Sequence, residues 1–184
     1  MFQVRIHGRG GQGVVTAAEM LSIAAFLEGK YAQAFPSFGS ERMGAPVVSF
    51  CRISDKEIRL REPISNPDAV IIQDKSVIEP AHAFDGVVDG GFVLVNSPND
   101  ISEDHKKHKN LENVTIKCVG ATEIALQHIG NPLPNAVLLG SFAALTKAIK
   151  IESVIEAIKT KFSGAIAEKN VAATMVAYEK VMTI

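Results

Sequence analysis

Residues 2–13 read FQVRIHGRGGQG, and residues 14–28 follow as VVTAAEMLSIAAFLE. Phe2, Val4 and Ile6 form an extended apolar run, which predicts a strand over 2–7. Gly8, Gly10 and Gly13 come next in G-x-G-x-x-G spacing. Val14, Ala18, Leu21 and Ala25 then recur at helical spacing, predicting a helix over 14–28. A strand that enters a helix through glycines leaves backbone N–H groups at the helix N-terminus, and that geometry suits a phosphate or another anion. Glycine tolerates positive φ there and admits a ligand close to the backbone. The candidate binding residues are therefore Gly8, Arg9, Gly10, Gly11, Gln12 and Gly13. Arg9 would add charge-assisted contacts, and Gln12 would either bond the ligand or cap the turn.

Working outward, Gly29 stops the helix and residues 31–35 read as a second strand, completing a right-handed βαβ unit with parallel strands. A dinucleotide site of the NAD type would place Asp or Glu at the end of that strand. Here the strand ends Ala34-Phe35-Pro36, and Glu28 comes too early, which argues against NAD. The next stretch, PSFGSERMGAP at 36–46, is read as a shaped loop at the carboxyl end of strand two, the edge that borders the ligand crevice in an open α/β sheet. Its Phe38, Glu41 and Arg42 are candidates for a subunit interface or the border of an active site. The alternative is a surface connection with solvated charges.

Residues 47–54 and 57–61 read as two strands of a hairpin around Asp55-Lys56. Arg52, Arg59 and Arg61 would make a small basic face or, on the favoured reading, a solvated strand face. Apolar runs at 69–72 and 92–96 read as buried strands, 114–119 as another strand, and 75–84 as a short helix despite Pro80. Helices are expected at 121–129, 135–149, 151–162 and 164–182. Together these predict a single α/β domain over 1–184: a Rossmann-like open sheet, mostly parallel with a hairpin, and helices on both faces.

Composition narrows the function. Formal net charge is -1 and aromatics make up 6% with no Trp, so neither a nucleic-acid surface nor a base-stacking platform is indicated. Cys51 and Cys118 form no C-x-x-C unit and are too few to ligate an ordinary iron–sulfur cluster. They read as free thiols of a cytoplasmic protein. Apolar runs are too short for a membrane span, and the start is unlike a signal peptide. His105, Lys106, Lys107, His108 and Lys109 cluster in a polar segment read as solvated rather than metal-binding.

Three segments in order carry a resemblance: HGRGGQGVVTAAEML at 7–21, EGKYAQAFPSFGSERMGAPV at 28–47 and FSGAIAEKN at 162–170, with Asn66-Pro67-Asp68 before a buried strand. With them the chain resembles the gamma subunit of the pyruvate and other 2-oxoacid:ferredoxin oxidoreductases over nearly its whole length. The adjacent Glu41-Arg42 followed by Gly44-Ala45-Pro46 is similar to the pyruvate and 2-oxoisovalerate enzymes rather than to the 2-oxoglutarate ones. It does not separate pyruvate from 2-oxoisovalerate, nor from a chain shared by both.

The resemblance implies a reaction in which 2-oxoacid, coenzyme A and oxidised ferredoxin give acyl-coenzyme A, carbon dioxide and reduced ferredoxin. Thiamine diphosphate with magnesium and iron–sulfur clusters would sit on alpha, beta and delta partners, and ferredoxin would meet the complex. This chain would hold none of those cofactors. Its share would be assembly and coenzyme A binding. Two other readings stay open: a purely structural assembly subunit, and a free-standing nucleotide-binding oxidoreductase.

Overall fold

The computed structural model describes residues 1–37, 43–101 and 111–183. Phe38, Glu41 and Arg42, and the histidine–lysine group at 105–109, lie outside the described residues. Six strands form one sheet: β1 (Phe2–Arg9), β2 (Tyr31–Pro36), β3 (Pro46–Ser54), β4 (Ala69–Ile72), β5 (Phe92–Asn96) and β6 (Thr115–Val119). Their spatial order is β2-β3-β1-β4-β5-β6. β1, β4, β5 and β6 run parallel, and β3 runs antiparallel to both of its neighbours.

The sheet is thus mostly parallel with a hairpin, but the hairpin joins β2 to β3. Residues 57–61 form no strand. Both edges of β3 are already taken, one by β1 and the other by β2, so a further strand after it has no free ladder to join. β2 runs in the direction expected of a βαβ unit, yet β3 lies between it and β1. The basic face also dissolves. Arg52 is 1% exposed. It donates to Gln3 Oε1, Gln33 Oε1 and the Glu62 carbonyl, and lies 5.4 Å from the Phe35 ring centroid. Arg59 stays on the surface, paired with Glu57 at 3.0 Å.

The α-helices among the described residues are α1 (Val14–Leu27), α2 (Ala121–His128), α3 (Asn135–Thr146), α4 (Ile151–Lys161) and α5 (Gly164–Met182). All five contribute to one apolar cluster, with Val4, Ile6, Ile71 and Leu94 pointing into it from the sheet. α1 meets that face through Ala17, Ala18, Ala24 and Ala25, whose small side chains bring the helix backbone close to the strands. α3 is buried on nearly all sides, and its Gly140 lies against the Thr174 carbonyl of α5 with no room for a Cβ.

Over the other face, a 3₁₀ helix (Lys75–Val77) and the turns that follow it bury Val77, Ile78, Ala83 and Phe84 on Val70, Ile72, Val93 and Val95. The helix expected over 75–84 reduces to that single turn. Pro80 has no N–H to offer, and His82 sits at φ 45. Helices therefore flank both faces, one face far more heavily than the other.

Being central, β1 is buried on both sides. Arg5 and His7 alternate with Val4 and Ile6 and face the second cluster. Arg5 donates to His7 Nε2 at 2.9 Å and to the carbonyls of Ala83 and Asp85, tying the strand to the irregular cover. At the amino edge of the sheet, Asp68 of the Asn-Pro-Asp segment accepts from the Gln3 N–H at 2.7 Å. That segment is a lock between β1 and β4, remote from their carboxyl ends.

Candidate functional site

β1 leads into α1, which lies on the helical face and connects toward β2. β4 leads into the 3₁₀ segment on the opposite face and connects toward β5. The sheet order therefore reverses between β1 and β4, and a ligand crevice is expected outside their carboxyl ends. The glycine turn and residues 73–76 meet there.

Gly13 precedes α1 in the left-handed conformation, φ 71 and ψ 34. A Cβ at Gly13 would strike the Asn135 carboxamide, so both backbone and space demand glycine. Gly8 lacks room as well: a Cβ would stand 2.6 Å from Val14 Cγ2. No side chain caps α1, and Ala17 N–H bonds the Gly13 carbonyl at 2.9 Å. The N–H groups of Val14, Val15 and Thr16 are thus left at the helix mouth, where the positive end of the dipole lies. A cavity of about 240 Å³ opens there, lined by Arg9, Gly10, Gly11, Gly13, Val14, Val15 and Val47.

Gln12 faces inward. Its Oε1 accepts from the Arg9 N–H at 2.8 Å and its Nε2 donates to Asp74 Oδ2 at 3.0 Å. Asp74 also accepts from the N–H and the hydroxyl of Ser76. Those bonds, with the Arg9 guanidinium 3.6 Å away, outweigh desolvation and hold the carboxyl below its ordinary range. Arg9 donates to Ser76 Oγ and to the Gly44 carbonyl. Arg9, Gln12, Asp74 and Ser76 therefore form a clasp across the switch point. Gln12 caps the turn.

The described end of the second motif joins the same place. Gly10 N–H bonds the Ala45 carbonyl at 2.9 Å and Gly44 N–H bonds the Gly10 carbonyl at 3.1 Å. Met43 lies where a Cβ on Gly11 would point. The late FSGAIAEKN segment lines neither cavity at the switch point; it supplies Ser163 and the first turns of α5, where Asn170 is buried and bonds the Ile166 carbonyl.

On the far side of Gln12, a second cavity of about 240 Å³ runs between the ends of β4 and β5 and the start of α2. Gln73, Asn96 and Thr122 line it. Asn96 Oδ1 accepts from the N–H groups of Ala121 and Thr122, and its Nδ2 donates to the Gln73 carbonyl and Thr122 Oγ1. Gln73 is 1% exposed, and neither head of its carboxamide has a partner. Each such orphan costs about 1–3 kcal/mol. Sequence reasoning passed over Gln73, Asp74 and Asn96. The only available signal was a polar pair closing an apolar strand.

His7 is 2% exposed, with Nδ1 unpartnered. Burial, and then the adjacent Arg5 guanidinium, hold its pKa down at about 3. Cys51 is buried under α1, and its thiol is pushed up to about 12. Neither side chain lines either of these cavities. Among the described residues, no group of three His, Cys, Asp or Glu is placed to hold a metal ion, and no helix is long and apolar enough to cross a membrane.

Residues 3–180 match the pyruvate ferredoxin/flavodoxin oxidoreductase family. The chain is 46% identical over 180 residues to a pyruvate synthase subunit PorC of Methanothermobacter marburgensis, covering 98% of this chain and 97% of that one. It is 49% identical over 180 residues to the common gamma subunit of the pyruvate and ketoisovalerate oxidoreductases of Pyrococcus furiosus, with the same coverage of 98% and 97%. The crystal structure of the pyruvate oxidoreductase subunit PORC of Thermotoga maritima superposes with a TM-score of 0.84 at 37% identity, over 97% of this chain and 95% of that one. The described architecture, the glycine turn and these relatives agree: the chain belongs to the pyruvate ferredoxin/flavodoxin oxidoreductase family, as a gamma subunit.

Proposed function

We propose that this chain works within a thiamine diphosphate-dependent complex that converts pyruvate, coenzyme A and oxidised ferredoxin to acetyl-coenzyme A, carbon dioxide and reduced ferredoxin. Its share is to bind the phosphates of coenzyme A and to hold the complex together in the cytoplasm. The alpha, beta and delta subunits would carry thiamine diphosphate, magnesium and the iron–sulfur clusters. Relatives named as pyruvate synthase subunits support pyruvate as the acid, and those named as shared with ketoisovalerate make 2-oxoisovalerate the competing one.

The observation that supports the coenzyme A role is the uncapped N-terminus of α1 opening on a cavity of about 240 Å³ lined by the glycine turn. A pyrophosphate there would accept from free backbone N–H groups at the positive end of a helix. Gly11 lies at this mouth. In the assembled complex, Gly11→Asp would add a carboxylate and a strained backbone, at φ 94, to the lining of this cavity. The expected result is a rise of about tenfold or more in the coenzyme A KM, with the pyruvate KM unchanged. An unchanged coenzyme A KM in a correctly assembled variant would refute the role.

One observation favours the purely structural reading. Arg9 and Gln12, expected at the ligand, are both engaged inside the clasp. On that reading, loss of Arg9 would weaken assembly and leave the coenzyme A KM where it was.

A further inference from the structure

β2 is an edge of the sheet, and among the described residues it pairs only with β3. The ladder shows which of its main-chain groups are left over. Ser37 N–H bonds the Val48 carbonyl at 2.8 Å, which fixes the alternation along the antiparallel pair. The bond from Gly10 N–H to the Ala45 carbonyl sets the same alternation from the β1 side. Tyr31, Gln33 and Phe35 therefore turn their N–H and carbonyl groups toward β3. Ala32 and Ala34 turn theirs outward, away from the sheet. Pro36 faces outward too, but it has no N–H and closes the open stretch at that end.

Exposed edges are usually guarded by a charged side chain, a bulge or a covering segment. β2 reads Tyr-Ala-Gln-Ala-Phe-Pro and carries no charge, whereas β6, at the opposite edge, carries Lys117. Ala32 and Ala34 pack against the cluster under the helical layer. Gln33 and Phe35 lie on the other face with Arg52, which donates to Gln33 Oε1 and stands over the Phe35 ring. Tyr31 shares that face by alternation and is half exposed. Along the strand the order is aromatic, Ala, Gln, Ala, aromatic, the same in both directions. An antiparallel copy of the strand matches it residue for residue.

We propose that β2 pairs with β2 of a second copy of this chain, antiparallel about a two-fold axis at Gln33, so that one sheet runs through both copies. Ala32 of each copy would exchange both main-chain bonds with Ala34 of the other, using every outward N–H of the strand. Gln33 would face Gln33, and Tyr31 would face Phe35, in the positions where side chains across a ladder approach most closely. A slip of two residues fails in either direction. One slip sets Pro36 opposite Ala32, with no N–H to give. The other sets Lys30 opposite Ala34, and the Lys30 N–H is already bonded to the Ala25 carbonyl. The pairing is independent of what the glycine turn binds, and in the assembled complex it would join two gamma subunits.

The test uses the full chain in sedimentation velocity over a series of micromolar concentrations. Wild type is expected to run as a dimer that dissociates on dilution. Ala34→Pro removes an outward N–H and no hydrogen bond inside the chain, a place where an edge strand tolerates proline. Its dimer dissociation constant should rise by about tenfold or more. Gln33→Cys places a thiol on the two-fold axis, where facing Cα atoms stand about 4.5 Å apart, within reach of a disulfide. Oxidised glutathione should then link Gln33→Cys chains in pairs, above the background that Cys51 and Cys118 give in wild type. Tyr31→Cys should stay unlinked, because its thiol faces Phe35 of the other copy.

A wild-type chain that stays monomeric, or a Gln33→Cys chain that does not link, would overturn the proposal. An Ala34→Pro dimer as tight as wild type would also overturn it, placing the contact elsewhere on the surface. Equal linking of Tyr31→Cys and Gln33→Cys would overturn the register and the axis. If Ala34→Pro fails to fold, linking by Gln33→Cys and not by Tyr31→Cys still supports the pairing. A monomeric wild type whose Ala34→Pro variant no longer joins the alpha, beta and delta subunits would overturn it and give the edge to one of them.

Discussion

At the residue scale, His7 makes stability depend on pH. Its imidazole titrates at about 3 in the folded chain, against an ordinary value of 6.5. Unfolding therefore takes up a proton between those values. The stabilising effect is complete above about 6.5 and is lost as pH falls toward 3, at about 1.4 kcal/mol per pH unit. Between pH 7 and pH 5, above the range where carboxylates titrate, the loss should be about 2 kcal/mol. Urea unfolding of wild type and His7→Gln at the two pH values measures it. A wild-type change no larger than that of the variant would show that His7 is not the source. Arg5 and His7 were beyond sequence reading for one reason. An alternating strand with polar residues on one face looks half-exposed, and only the strand's position in the sheet reveals that both faces are covered.

At the element scale, the strand–glycine turn–helix unit was fully legible, because glycine spacing and the Ala-rich period both act locally. Gly13 and Gly29 both take φ near 70–75, but Gly29 faces open space and Gly13 faces Asn135. Gly29→Ala should cost about 1 kcal/mol, the price of the left-handed backbone alone. Gly13→Ala should cost at least about 2 kcal/mol, because its Cβ also has to displace a carboxamide. Equal midpoint shifts in urea would show that α3 yields freely at that contact. The 57–61 strand failed for a non-local reason. Its alternation of Ile58 and Leu60 with Arg59 and Arg61 is sound, but pairing depends on which ladder edges are free, and β3 has none. The order of strands is a property of the whole sheet, and no local pattern encodes it.

At the scale of the molecule, the sheet separates a thick helical layer from a thin irregular one, and the clasp at the switch point bridges their chain connections. The helical layer leaves Phe26 at 74% exposure, beside Leu27 and Tyr31, where α1 turns into the edge strand β2. Apolar side chains in that position are of the kind that subunit assembly covers. The strand inserted between β1 and β2 also bears on how the chain is made. When the ribosome has released only the first βαβ unit, β1 and β2 have nothing to pair with, since each needs β3. The nascent chain must wait until Ser54 has emerged before the amino-terminal half of the sheet can close. Arrested chains ending at residue 40 should be cut rapidly by protease, and chains extended far enough to expose residues 1–75 should gain resistance in a single step. Gradual protection with length would mean that α1 organises the early chain without the sheet. The wedge strand thus sets a checkpoint in synthesis.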